Sequence, residues 1–221
     1  MDYRRFHIPL LIGALLLALA PASVATAEPL TWTLAPSFQL MSFDAGELSD
    51  FIAPYDLRPY EGYLWMPGAA ATFQYGPLYV APTAHGSRLS SRSHSNDAWL
   101  YWGWGILDLG WRVYDGQIGS VVPFVGAGYG VTYLELEAKQ PTPFERIRRD
   151  SLPLEAGVAL MLLYRPTSAR GHVAGALRLG YVHQEPLGDW RDGGRTYDDA
   201  PDATPRGFFL RLEIGGGATC Y

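Results

Sequence analysis

From Leu30 onward the apolar positions recur every second residue, the period of a half-buried strand and not of a helix. Leu30, Trp32, Leu34, Phe38 and Leu40 share one parity, with Thr31, Thr33, Ala35, Ser37 and Gln39 between them. The same alternation predicts strands over Tyr63–Tyr75, Leu78–His85, Ala98–Tyr114, Val121–Leu136, Ser151–Tyr164, His172–Tyr181 and Phe208–Ile214. That makes eight strands. In the fourth the phase slips: Leu100, Trp102 and Trp104 lie on one parity, Leu107, Leu109, Trp111 and Val113 on the other. A bulge near Gly103 or Gly105 is the expected cause.

The connections alternate in length. Asp44–Glu61, Gly86–Asp97, Glu137–Asp150 and Gln184–Arg206 are long, while Gly76-Pro77, Asp115–Ser120 and Arg165–Gly171 are shorter. An antiparallel up-and-down barrel with both termini on one rim gathers all four long links on the other. The expected fold is therefore all-β, an eight-stranded transmembrane barrel with short turns inside and longer loops outside. A soluble, lipocalin-like barrel shares the alternation but needs a hydrated outer face. Here the second face is mostly Gly, Ala, Ser and Thr, which suits the crowded interior of a small barrel instead.

Composition supports this placement. Only 18% of the 221 residues are charged, aromatics reach 14%, and one Lys, Lys139, stands against sixteen Arg. With a formal charge of −5 the chain has no basic excess for nucleic acid, and the single cysteine, Cys220, excludes an internal disulfide. Residues 1–27 carry the marks of a cleaved secretory signal: Arg4 and Arg5, an apolar run from Ile8 to Ala20, and Ala25-Thr26-Ala27 with cleavage after Ala27. The barrel domain is then 28–221, with a net charge of −6 once Asp2, Arg4 and Arg5 are removed. Aromatics fall where interfacial girdles belong: Trp32, Tyr63, Trp65, Tyr75, Trp102, Trp111, Tyr133, Tyr164, Tyr181 and Phe208.

Val122-Pro-Phe-Val-Gly-Ala-Gly-Tyr-Gly130 and Leu107-Asp-Leu-Gly-Trp-Arg-Val-Tyr114 resemble strands of small outer-membrane β-barrel proteins of the OmpA, OmpX and OmpW type. That resemblance implies a Gram-negative outer membrane, contact with its lipid and lipopolysaccharide, and delivery by periplasmic chaperones to the barrel-assembly machinery. It also implies that aromatic Tyr221 is the assembly signal. The chain departs from the family's closing strand at Gly215-Gly216-Gly217, Ala218 and Cys220, where counting back by twos from Tyr221 lands on Thr219, Gly217 and Gly215.

If the small-residue faces point inward, Asp108, Arg112, Glu155, Arg178, Arg211 and Glu213 form a lumen network, three acids against three bases. Isolated charges there are costly, whereas a paired set is tolerable and Arg pairs carboxylates with both edges of its fork. The expected role is a salt-bridged filling and not an ion path. The chain is expected to be a monomer, without metal or cofactor, serving a structural, envelope-integrity or surface-loop binding role. A narrow channel for small or apolar solutes is the first alternative. The second is a lipid hydrolase or acyltransferase using the His85–His94 region, although no spacing there enforces a Ser–His–acid triad. Lys139, Arg146, Arg148 and Arg149 are candidates for lipopolysaccharide phosphates. Asp198, Asp199 and Asp202 lack the spacing of a calcium loop.

Overall fold

The computed structural model describes residues 29–43, 46–60, 62–94, 96–116, 119–137, 146–164, 171–197 and 200–220. The signal segment 1–27 with Ala27, and Lys139, Asp198, Asp199 and Tyr221, lie outside that set, as does the side chain of Tyr164. Eight strands form the wall: β1 Leu30–Ser42, β2 Tyr63–Tyr75, β3 Leu78–Arg92, β4 Asp97–Trp111, β5 Ser120–Glu137, β6 Arg146–Tyr164, β7 Gly171–Pro186 and β8 Gly207–Cys220. Each pairs antiparallel with its sequence neighbour, and β8 pairs with β1 to close the barrel. Closure satisfies the strand edges internally, a requirement for any backbone that crosses lipid.

The register fixes the shape. Paired residues followed once round the wall run Ala176, Glu213, Ser37, Gly68, His85, Trp104, Gly130, Ser151 and back to β7 at Pro186, ten residues beyond the start. Eight strands with that stagger tilt by roughly 40° from the axis, within the range for closed barrels. At roughly 3.3 Å per residue, the outward apolar run Leu152–Leu162 on β6 then rises about 25 Å, the height of an outer-membrane apolar band.

The expected faces are largely those observed. Along β1, Thr31, Thr33, Ala35, Ser37 and Gln39 are buried inside while Leu34 and Phe38 are exposed outside. Gly76, at φ +58°, makes the two-residue β2–β3 turn that a side chain would strain. β8 keeps one register with β1 from Met41↔Phe209 to Leu30↔Cys220, so Thr219, Gly217 and Gly215 face the lumen.

Three expectations need correction. β4 has no phase slip: its register with β3 is continuous from Leu78↔Trp111 to Arg92↔Asp97, and Leu100, Trp102 and Trp104 point inward. The slip follows only from assuming a uniformly polar lumen, whereas the lumen's external third is apolar. Gly86–Asp97 is not a long loop, because β3 runs to Arg92 and β4 begins at Asp97. Gln184–Arg206 likewise begins as strand and holds a short hairpin, Trp190–Asp192 with Arg195–Tyr197.

Candidate functional site

The lumen is built in layers. At the end of the barrel that carries the short turns, Thr31, Thr33, Thr72, Gln74, Arg112 and Asp115 line a polar vestibule of about 310 Å³. Thr33 hydrogen-bonds His172 at 3.0 Å, and Arg112 pairs with Asp115 at 3.1 Å.

Above it sits the ionic layer. Alternation aims Asp108 from β4, Glu155 from β6, Arg178 from β7 and Arg211 and Glu213 from β8 at one level, all buried. Arg178 reaches Asp108 at 2.7 Å and grips Glu213 with Nε and Nη2 at 2.9 and 3.0 Å. Arg211 grips Glu155 with both Nη atoms, at 3.1 and 2.8 Å, and its Nε donates to Gln39 Oε1 at 2.9 Å. Asp108 bridges the two arginines, 3.6 Å from Arg211. Rings cover the guanidiniums: Tyr79 and Phe124 on Arg178, Phe209 on Arg211. The structure thus joins five of the six residues named from sequence. Arg112 stands apart at the turn that follows because β4 ends at Trp111. The layer carries three carboxylates to two guanidiniums.

Next come Ser37 hydrogen-bonded to His85 at 2.8 Å and Ser151 to Gln184 at 3.1 Å. Serine and histidine are within reach here, but both are buried and no partner is present on His85 Nδ1 among the described residues. His94 is nine residues along, roughly 30 Å of extended chain, on an exposed hairpin. His85 and His94 therefore do not share a site.

The external third is closed by an apolar cap. Helix α1, Gly46–Ile52, and the segment 200–206 fold over the mouth, burying Leu48, Ile52, Leu57, Trp190 and Ala203 on Leu64, Met66, Leu100 and Trp102. Trp102 packs edge-on to Phe43, and its indole donates to Ala203 O at 2.9 Å. Trp190 donates to Pro201 O at 2.9 Å, and Arg149 turns inward to Asp202 at 3.3 Å. Burial raises the Tyr60 phenol above its ordinary pKa. The sequence offered one signal for this cap, the aromatic and apolar residues inside two nominal loops. Trp102→Phe removes one hydrogen bond and leaves a carbonyl stranded, so a loss of about 1–3 kcal/mol is expected. Faster proteolysis within 200–206 with an intact barrel is the accompanying readout.

On the outer face, Trp32, Tyr75 and Trp111 stand toward the short-turn end of the wall, and Trp65, Tyr133, Tyr181 and Phe208 toward the opposite end. Trp102, assigned to that girdle from sequence, belongs instead to the interior cap.

No family model and no curated protein matches the sequence. Among solved structures, the chain is similar to Ail, the attachment invasion locus protein of Yersinia pestis, at 11% identity and TM-score 0.43, over 88% of this chain and 99% of that one. It is similar to a major outer membrane protein from Thermus thermophilus at 13% and 0.45, over 85% and 98%. Neisserial surface protein A gives 12% and 0.38, over 85% and 96%.

Proposed function

We propose that the protein is an outer-membrane barrel with a filled lumen, whose work is structural: it spans the bilayer and holds a folded loop platform on the external side. The observation that carries this is the inversion of its faces. Leu34, Phe38, Leu109, Leu160, Leu179 and Ile214 are exposed around the wall, while Arg178, Arg211 and Asp108 are fully buried within it. That arrangement favours lipid outside over water. The ionic layer and the cap, stacked in series, fill the axis and favour a structural or surface-binding role over conduction.

The test pairs two measurements on protein taken from an outer-membrane fraction. Unheated protein in SDS is expected to migrate as a compact band that shifts on boiling, and planar bilayers containing it are expected to show no stable conductance steps. Recovery in the soluble periplasm would reverse the assignment of faces. Reproducible steps with a compact band would replace the filled lumen by a pore.

A further inference from the structure

The vestibule at the short-turn end is a cavity that a purely structural barrel leaves without a role. Its volume of about 310 Å³ falls at the lower end of small-molecule sites, which run from about 300 to 1,000 Å³. Its lining is divided by chemistry. On one side β1 and β2 set four polar side chains in register on their inner faces, Thr31 opposite Gln74 and Thr33 opposite Thr72. Across the lumen, Met161 and Leu163 of β6 and Ala174 of β7 form an aliphatic wall. Arg112 and Asp115 of the β4–β5 turn stand at the rim, paired at 3.1 Å, with the Asp115 side chain 60% exposed. They are the only charged side chains lining the cavity among the described residues, so it carries no net charge.

The polar side is held in place yet keeps hydrogen-bonding capacity. Thr31 is fixed by Thr219 at 3.3 Å and Thr33 by the ring of His172 at 3.0 Å, and a hydroxyl can form more than one such bond. Gln74 is the telling residue. Its Nε2 reaches across the cavity to the Met161 sulfur at 3.2 Å, and a thioether is a weak acceptor for an amide N–H. A ligand hydroxyl would accept that N–H better and could donate its own proton to Gln74 Oε1.

We propose that this vestibule is a binding site for a neutral sugar ring, with Gln74 and Thr72 holding its hydroxyls and Met161 against its C–H face. A pyranose matches both sides of the lining, since its edge carries hydroxyls that donate and accept while its faces are aliphatic. The paired Arg112 and Asp115 offer no unmatched charge to select an ion. An acyl chain would strip water from Thr31, Thr33, Thr72 and Gln74 without replacing the lost hydrogen bonds. The cavity opens at the end of the barrel, so the reading holds whichever compartment that end faces and goes beyond the structural role proposed above.

The experiment uses the full barrel folded in deuterated detergent micelles, probed with maltose and with N,N′-diacetylchitobiose by saturation-transfer NMR across a titration. Glycerol is the control for hydroxyls that belong to no ring. At least one disaccharide is expected to receive saturation while glycerol stays silent. Thr72→Val and Gln74→Leu are each expected to weaken that binding about fivefold, the worth of one hydrogen bond. Ala174→Phe, which fills the cavity, is expected to abolish it, and Arg195→Gln on the hairpin at the other end should change nothing. The boiling shift of the SDS band is recorded for every variant. Should Ala174→Phe fail to fold, Thr72→Val, which keeps the side chain's shape, carries the test. Silence of both disaccharides, an equal response from glycerol, or binding unchanged in Thr72→Val and Gln74→Leu would each overturn the proposal. Tighter binding of glucuronate than of glucose would also overturn it, by making Arg112 an anion anchor.

Discussion

Arg178→Leu is expected to cost about 3–5 kcal/mol, because removing one partner of a buried ion pair leaves the others without compensation. Asp108 and Glu213 both lean on this guanidinium, and the loss leaves one cation for three carboxylates in a closed layer. Against a typical total stability of about 5–15 kcal/mol, that is enough to lower folding yield as well as the urea midpoint. Two companions separate charge from packing. Arg112→Leu removes an arginine whose partner is 60% exposed, and is expected to cost less than about 1 kcal/mol. Arg178→Leu combined with Asp108→Asn and Glu213→Gln removes the stranded charges and should recover much of the loss. Unfolding in phosphatidylcholine vesicles, followed by tryptophan emission and the heat-shifted band, measures all three. A single variant within about 1 kcal/mol of wild type would mean that the layer is hydrated and screened, and that the axis is not closed there.

The wall was legible because one physical rule, alternation at period two, acts on every strand and sets an apolar outer face against a small or polar inner one. Leu34 and Phe38 outside with Ser37 and Gln39 inside follow from that rule alone. The ionic layer was legible for the same reason: Asp108, Glu155, Arg178, Arg211 and Glu213 sit on the small-residue parity of four different strands. Which arginine meets which carboxylate was not, since that depends on the ten-residue stagger, a property of the closed wall and not of any one strand. The cap escapes the rule for a different reason. Leu100, Trp102 and Trp104 are as apolar as any lipid-facing residue, and parity cannot tell lipid from a packed interior. Only the return of α1 and residues 200–206 over the mouth distinguishes them.

Leu179→Arg provides the sharpest test of which face meets lipid. Leu179 projects outward from the middle of β7, 53% exposed, beside Leu210 of β8 and Val158 of β6. A guanidinium at mid-bilayer depth is expected to cost about 2–4 kcal/mol, falling to about 0–1 near the interface. His183→Arg supplies the comparison, because His183 lies on the same face of the same strand four residues higher and already pairs with Glu185 at 3.1 Å. Four residues are roughly 13 Å of strand, enough to move the charge from the centre of the belt toward its external rim. Folding into phosphatidylcholine vesicles should therefore fail or weaken sharply for Leu179→Arg and stay near wild type for His183→Arg. On a barrel surrounded by water both substitutions would fall within about 0.5 kcal/mol, as exposed changes usually do. The depth dependence thus decides the matter even if one variant alone misfolds, because packing damage at an outward position has no reason to diminish toward the rim.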